Sequence, residues 1–242
     1  MPRPDASAKL AATAPRRSRS GLAIIVAAVV FVAVIVAVIV GATTSSTSGA
    51  AATGTAFPKG APSLGAALVV NPQAPASAPV LDIFEDPQCP ACAAMDKVYG
   101  TAIADLATSN QAKVVVHTMT FLDTNLKNDA SVRAAQGAFC AADQGKFLEY
   151  MSAVYAGQPQ QEGAGFSADQ LEAFAMSARV GSLTTWQQCV KDKTYLAHTT
   201  AVAEAALKEG VNSTPTLRLN GTKLTLTGNV DELTAAVKAA TK

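Results

Sequence analysis

The stretch "FEDPQCPAC", Phe84 to Cys92, limits the possible folds of this chain more than any other. The residues leading into it, Val80 to Asp86, are apolar and β-rich and read as a strand. Pro90 then opens a helix to about Leu106, at the first helical position, where a missing N–H costs nothing. Cys89 therefore falls where a strand hands over to a helix. Its sulfur should lie among unpaired backbone N–H groups, at the positive end of the helix dipole, which favours a thiolate. A thiolate is both the nucleophile and the good leaving group of disulfide exchange. Cys92, one turn later, is the expected partner and should be the more buried of the two.

Other readings of a two-residue cysteine spacing remain. Tetrahedral zinc takes four ligands, and beyond this pair the chain offers only His117, His198 and two distant cysteines. A structural disulfide within one helical turn gains little from so short a loop and strains the helix.

Near the N-terminus, Leu22 to Val40 is a run of 19 apolar residues, about 29 Å as a helix, which matches the hydrocarbon thickness of a bilayer. Arg3, Lys9, Arg16, Arg17 and Arg19 precede it against Asp5 alone. The positive-inside rule puts that cluster in the cytoplasm and the rest of the chain outside. A cleavable signal peptide is the rival reading, although its apolar core is usually shorter. Taking those five basic residues and one acid from totals of 19 and 18 leaves 14 against 17, so the body is mildly acidic. That argues against a nucleic-acid partner, which calls for a basic face. Outside the cytosol, four cysteines favour disulfides.

The organisation expected is a basic cytoplasmic start (1–20), a transmembrane anchor (21–41) and a flexible Ala/Thr/Ser/Gly linker (42–63), then the folded part. Within that part, strands are expected at Ala66 to Val70, Val80 to Asp86 and Ala112 to Phe121. A block of four or so helices follows, from about Asn128 to Gly210. A hairpin turning at Asn220 and Gly221 and a helix from Asn229 to Ala240 end the chain.

"FEDPQCPAC" running into a helix, then a helical block, then "NSTPT" before a hairpin, resembles the membrane-anchored DsbA-like proteins of actinobacteria. The resemblance covers about residues 64 to 242. It implies an α/β thioredoxin-like fold (64–127 and 211–242) with an inserted α-helical domain (128–210). It implies an extracytoplasmic thiol:disulfide oxidoreductase with Cys89 and Cys92 catalytic, Pro90 and Ala91 as the motif dipeptide, and Thr214 with a cis Pro215 meeting the substrate chain. The substrates would be exported cysteine-containing proteins. The reoxidant would be a quinone-coupled membrane partner, DsbB-like or a homologue of vitamin K epoxide reductase, and no organic cofactor is implied. Many relatives carry an acid six residues before the first cysteine; this chain has Ile83 there, with Asp82, Glu85 and Asp86 nearby. A reductase or isomerase on the same fold, or a peptide- or copper-binding module, are the alternatives.

Cys140 and Cys189 both fall in the helical block, and in an oxidising space they are expected to be joined as a structural disulfide, as in some of those relatives. A relay of electrons is the competing role. His117 reads as a hydrogen-bonded core residue and His198 as helix surface.

Overall fold

The computed structural model describes residues 54–161 and 163–241. The basic N-terminus, the anchor at 21–41 and most of the linker lie outside the described residues. Among the described residues no helix is long and apolar enough to cross a membrane.

Five strands form one sheet in the order β1-β3-β2-β4-β5. They are β1 (Leu68–Val69), β2 (Val80–Glu85), β3 (Lys113–Thr118), β4 (Thr216–Leu219) and β5 (Thr222–Leu224). β2 lies at the centre, parallel to β3 (Ile83 opposite Val116) and antiparallel to β4 (Ile83 opposite Leu217). The crossover between the parallel pair is the helix α1 (Pro90–Thr108). Alternation along β2 sorts its side chains by face: Leu81 and Ile83 join Val114 and Val116 against Met95, Tyr99, Ile103 and Leu106 of α1, all buried. Phe84 belongs instead to a cluster with Met119, Ala206 and Val211. Full burial of one such side chain stabilises by roughly 1.5–3 kcal/mol, so both sheet faces are held firmly.

β4 and β5 form the expected hairpin. Asn220 and Gly221 both take positive φ, 50° and 79°, as a type I′ turn requires. The segment before it contains a cis peptide between Thr214 and Pro215. The final helix, α8 (Val230–Ala240), is capped by the Asn229 side chain, which accepts from the Asp231 N–H.

β3 stops at Thr118, short of the expected Phe121, and a six-residue helix follows that the sequence reading missed, α2 (Phe121–Leu126). Its apolar start looked like strand, and its end depends on Lys127 adopting a left-handed conformation. Five helices then fill the block: α3 (Ala130–Ala142), α4 (Phe147–Ala156), α5 (Ala168–Ser177), α6 (Leu183–Lys191) and α7 (Leu196–Lys208). α3 lies at their centre, and its alanines are small enough to let neighbours approach closely. Gly137 has no room for a Cβ, because Tyr150 and Trp186 occupy that space, and its carbonyl accepts from the Trp186 indole at 2.8 Å. A Cys140–Cys189 disulfide joins α3 to α6, with 5.9 Å between the Cα atoms.

Two expectations are corrected. Residues 54–63, assigned to the linker, are packed: Gly54 lies against Ala197, and the Lys59 N–H donates to Asp143. His198, expected on the surface, is fully buried, and its Nδ1 accepts from the Gly65 N–H at 3.1 Å. The reason is the same for both. The segment before β1 lies across α7 and covers a face that helical periodicity alone leaves to solvent. His117 is half-buried, 3.0 Å from Asp82 and stacked on Phe84.

Candidate active site

Cys89 is the N-cap of α1 and closes the junction between β2 and that helix. Its carbonyl starts the helix by accepting from the N–H groups of Cys92 and Ala93. Pro90 and Ala91 are exposed, Cys89 retains 7% of its surface, and Cys92 has none. Both cysteines are thiols here. Across from them, the Cys89 thiol donates to the Thr214 carbonyl at 3.4 Å, which brings the Thr214–Pro215 segment against the helix start. Cys89, Cys92, Thr214 and Pro215 thus form one site, whereas Cys140 and Cys189 lie apart from it in the helical block.

The two sulfurs differ in acidity. The Cys89 thiol is lowered to about 6, first because the Cys92 thiol donates to its thiolate. Burial opposes this, while the Thr214 side chain and the backbone N–H groups of Cys92 and Ala91 add to it. Cys92 is pushed well above the ordinary thiol range, chiefly by burial and then by its interaction with Cys89. At neutral pH the site therefore holds one thiolate, at the more accessible position.

Three acids lie near the pair in sequence, and the fold separates them. Asp82 turns to the other side of the sheet and meets His117. Asp86 has no exposed surface, and three donors fill its carboxylate: the Ser131 hydroxyl at 2.5 Å, the Gln88 N–H at 3.0 Å and the Leu122 N–H at 3.2 Å. Burial still raises it to about 6. Glu85 is buried without such donors. The Tyr155 hydroxyl lies beside it but closes no strict hydrogen bond. Burial, and then the nearby charges of Asp96, Asp86 and Cys89, raise Glu85 to about 8 despite Tyr155. Glu85 is thus a carboxyl that is mostly protonated at neutral pH and whose charge bears on Cys92.

The helix α2 and the helical block together grip the loop before Cys89. Gln88 donates to Asp123, Asn128 and Ser131 at 2.8–2.9 Å, and Gln158 donates to the carbonyls of Pro87 and Cys89 at 2.8 and 3.1 Å. Sequence reasoning passed over both glutamines, since isolated glutamines in loops carry no pattern. Among the described residues no group of three or more His, Cys, Asp or Glu side chains is arranged to hold a metal.

Residues 73–239 match the family model described as Thioredoxin. The serine/threonine-protein kinase PknE of Mycobacterium tuberculosis is 30% identical over 145 residues, 56% of this chain and 25% of the kinase. The chain thus spans about a quarter of the length of the curated relatives it matches. Among solved structures, reduced DsbG of M. tuberculosis is 25% identical with a TM-score of 0.57, covering 67% of this chain and 77% of that one. MdbA of Actinomyces oris, described as a thiol-disulfide oxidoreductase, has a TM-score of 0.64 at 21% identity, over 78% of this chain and 94% of that one. Oxidised DsbA of M. tuberculosis has a TM-score of 0.58 at 24% identity, over 67% and 83%.

Proposed function

Because this chain belongs to the thioredoxin family, we propose that it is a DsbA-like thiol:disulfide oxidoreductase that introduces disulfides into exported proteins. The observation that carries this is the unequal pair of sulfurs: an acidic Cys89 that keeps 7% of its surface beside a fully buried Cys92 whose thiol holds its proton. A substrate thiolate attacks the Cys89 sulfur of the oxidised enzyme. A substrate–Cys89 disulfide forms, the Cys89–Cys92 bond breaks, and the departing Cys92 sulfur takes a proton from Glu85. A second substrate thiolate then attacks the substrate sulfur of the mixed disulfide and releases Cys89 as a thiolate, whose low proton affinity makes it a good leaving group. The substrate has lost two electrons and the enzyme has gained them.

In this reading the apolar run at 22–40 anchors the protein with its catalytic part outside the cytoplasm. A quinone-coupled membrane protein, DsbB-like or related to vitamin K epoxide reductase, takes the electrons away. The test is refolding of a reduced disulfide protein by the full-length oxidised chain in detergent. Oxidation that disappears in Cys89→Ser is expected; none by the intact chain, or undiminished oxidation by the variant, overturns the reading. A redox potential of the pair well below about −200 mV would assign the reductase direction instead.

A further inference from the structure

This inference rests on the disulfide-exchange reading and concerns which substrate side chain the site accepts beside the reacting cysteine. A pocket of about 100 Å³ opens next to the Cys-Pro-Ala-Cys turn. One wall is Gln88 and Pro90, the residues on either side of Cys89; the other is Gln158, Pro159, Gln160 and Phe166, from the connection between α4 and α5.

The pocket is held in shape before any substrate arrives. Gln158 cannot swing freely, since its amide is fixed to the carbonyls of Pro87 and Cys89. The Gln88 carboxamide is spent on Asp123, Asn128 and Ser131, and its oxygen accepts from Asn128 at 2.9 Å. Two proline rings and the Phe166 ring supply apolar surface. Among the described residues, none of those lining the pocket carries a formal charge. Liquid water takes ~30 Å³ per molecule, so the space suits a side chain of three or four heavy atoms. Consecutive Cα atoms are ~3.8 Å apart, which puts the neighbour of a cysteine bonded to Cys89 within reach of a wall built by Pro90.

We propose that this pocket is a substrate subsite for a small uncharged side chain, such as valine or threonine, next to the reacting cysteine, with Gln158 and Gln160 as specificity-determining residues. A tryptophan exceeds the volume, and a carboxylate entering it would lose water without meeting a cationic partner among the described lining residues.

The test uses the full-length oxidised protein and dithiol peptides whose reacting cysteine is flanked by threonine, aspartate or tryptophan. Each rate is divided by that peptide's rate with oxidised glutathione, which cancels intrinsic thiol reactivity. The threonine peptide is expected to react about tenfold or more faster than the other two. Gln160→Trp, a change at an exposed position, should erase that advantage while leaving the rate with dithiothreitol unchanged. Gln160→Ala should selectively speed up the tryptophan peptide. Equal rates for all three peptides, or a Gln160→Trp variant slowed equally toward dithiothreitol and peptide, overturn the subsite alone. Failure to oxidise dithiothreitol at all removes the exchange reading and the subsite with it.

Discussion

The sulfur of Cys89 stands 3.4 Å from the carbonyl oxygen of Thr214, a residue 125 positions later in the chain. This contact joins the two halves of the sheet domain that the helical block separates. As a thiol, Cys89 donates to that carbonyl. As a thiolate it has no proton to donate and is held instead by the Cys92 thiol, the Thr214 side chain and the helix N–H groups. The same neighbours therefore serve both protonation states.

Removing Cys92 should raise the proton affinity of Cys89, because the Cys92 hydrogen bond is the largest cause of its lowering. Alkylation of the reduced protein by iodoacetamide across pH should show a midpoint of about 6 in the wild type. In Cys92→Ala the midpoint should lie higher. A midpoint that stays or falls would assign the acidity to the helix terminus alone.

Glu85→Gln should reduce the loss of stability that the dithiol form shows as pH rises from about 4.5 to about 8. The Glu85 proton is held more tightly in the folded protein, about 8 against 4.5. Its contribution is therefore fully present below about 4.5 and is lost as pH rises through 8. Over that window the loss is on the order of 5 kcal/mol, from ~1.4 kcal/mol per pH unit. Asp86, raised to about 6, acts with the same sign, and Cys89, lowered from 9 to about 6, acts with the opposite sign, so the Glu85 contribution is read from the difference between wild type and variant. Urea unfolding at about pH 5 and about pH 8 should show the wild type losing more stability across that interval than the variant; parallel pH profiles would refute the assignment.

Ser131→Ala should destabilise the protein by about 1.5–3 kcal/mol at neutral pH. The serine hydroxyl donates to the buried Asp86 carboxylate at 2.5 Å, and no water can replace it at a site without exposed surface. The urea midpoint measures this. The Asp86 carboxyl should also titrate higher than in the wild type, visible as a shift of its carbon resonance.

Replacing Cys140 and Cys189 together with alanine should cost about 4 kcal/mol, the chain-entropy value for a loop of 49 residues. The bridge joins α3 to α6 and lies apart from Cys89, so the alkylation profile of Cys89 should not change. A changed profile would instead support a redox role for this pair.

Features set by neighbours in sequence were legible without the fold. The position of Cys89 follows from a β-rich run meeting a helix-starting proline, and the Asn220–Gly221 turn from two residues that tolerate positive φ. The short helix α2 was not, because an apolar start of six residues fits strand and helix equally. His198 was misread for a different reason: its cover comes from Gly65 and the residues before it, 133 positions away.

By itself the sequence determined the chemistry available here, two thiols three positions apart at a strand-to-helix junction, because helix capping and proline placement act over a few residues. It left three candidate acids, and only the tertiary structure chose among them. Asp82 and Glu85 lie on opposite faces of β2, and what each face meets is decided by distant elements: His117 for Asp82, Tyr155 and the cysteines for Glu85, Ser131 and Leu122 for Asp86. Acidity in a protein interior depends on which charges and donors lie within a few ångströms, and linear order does not carry that distance.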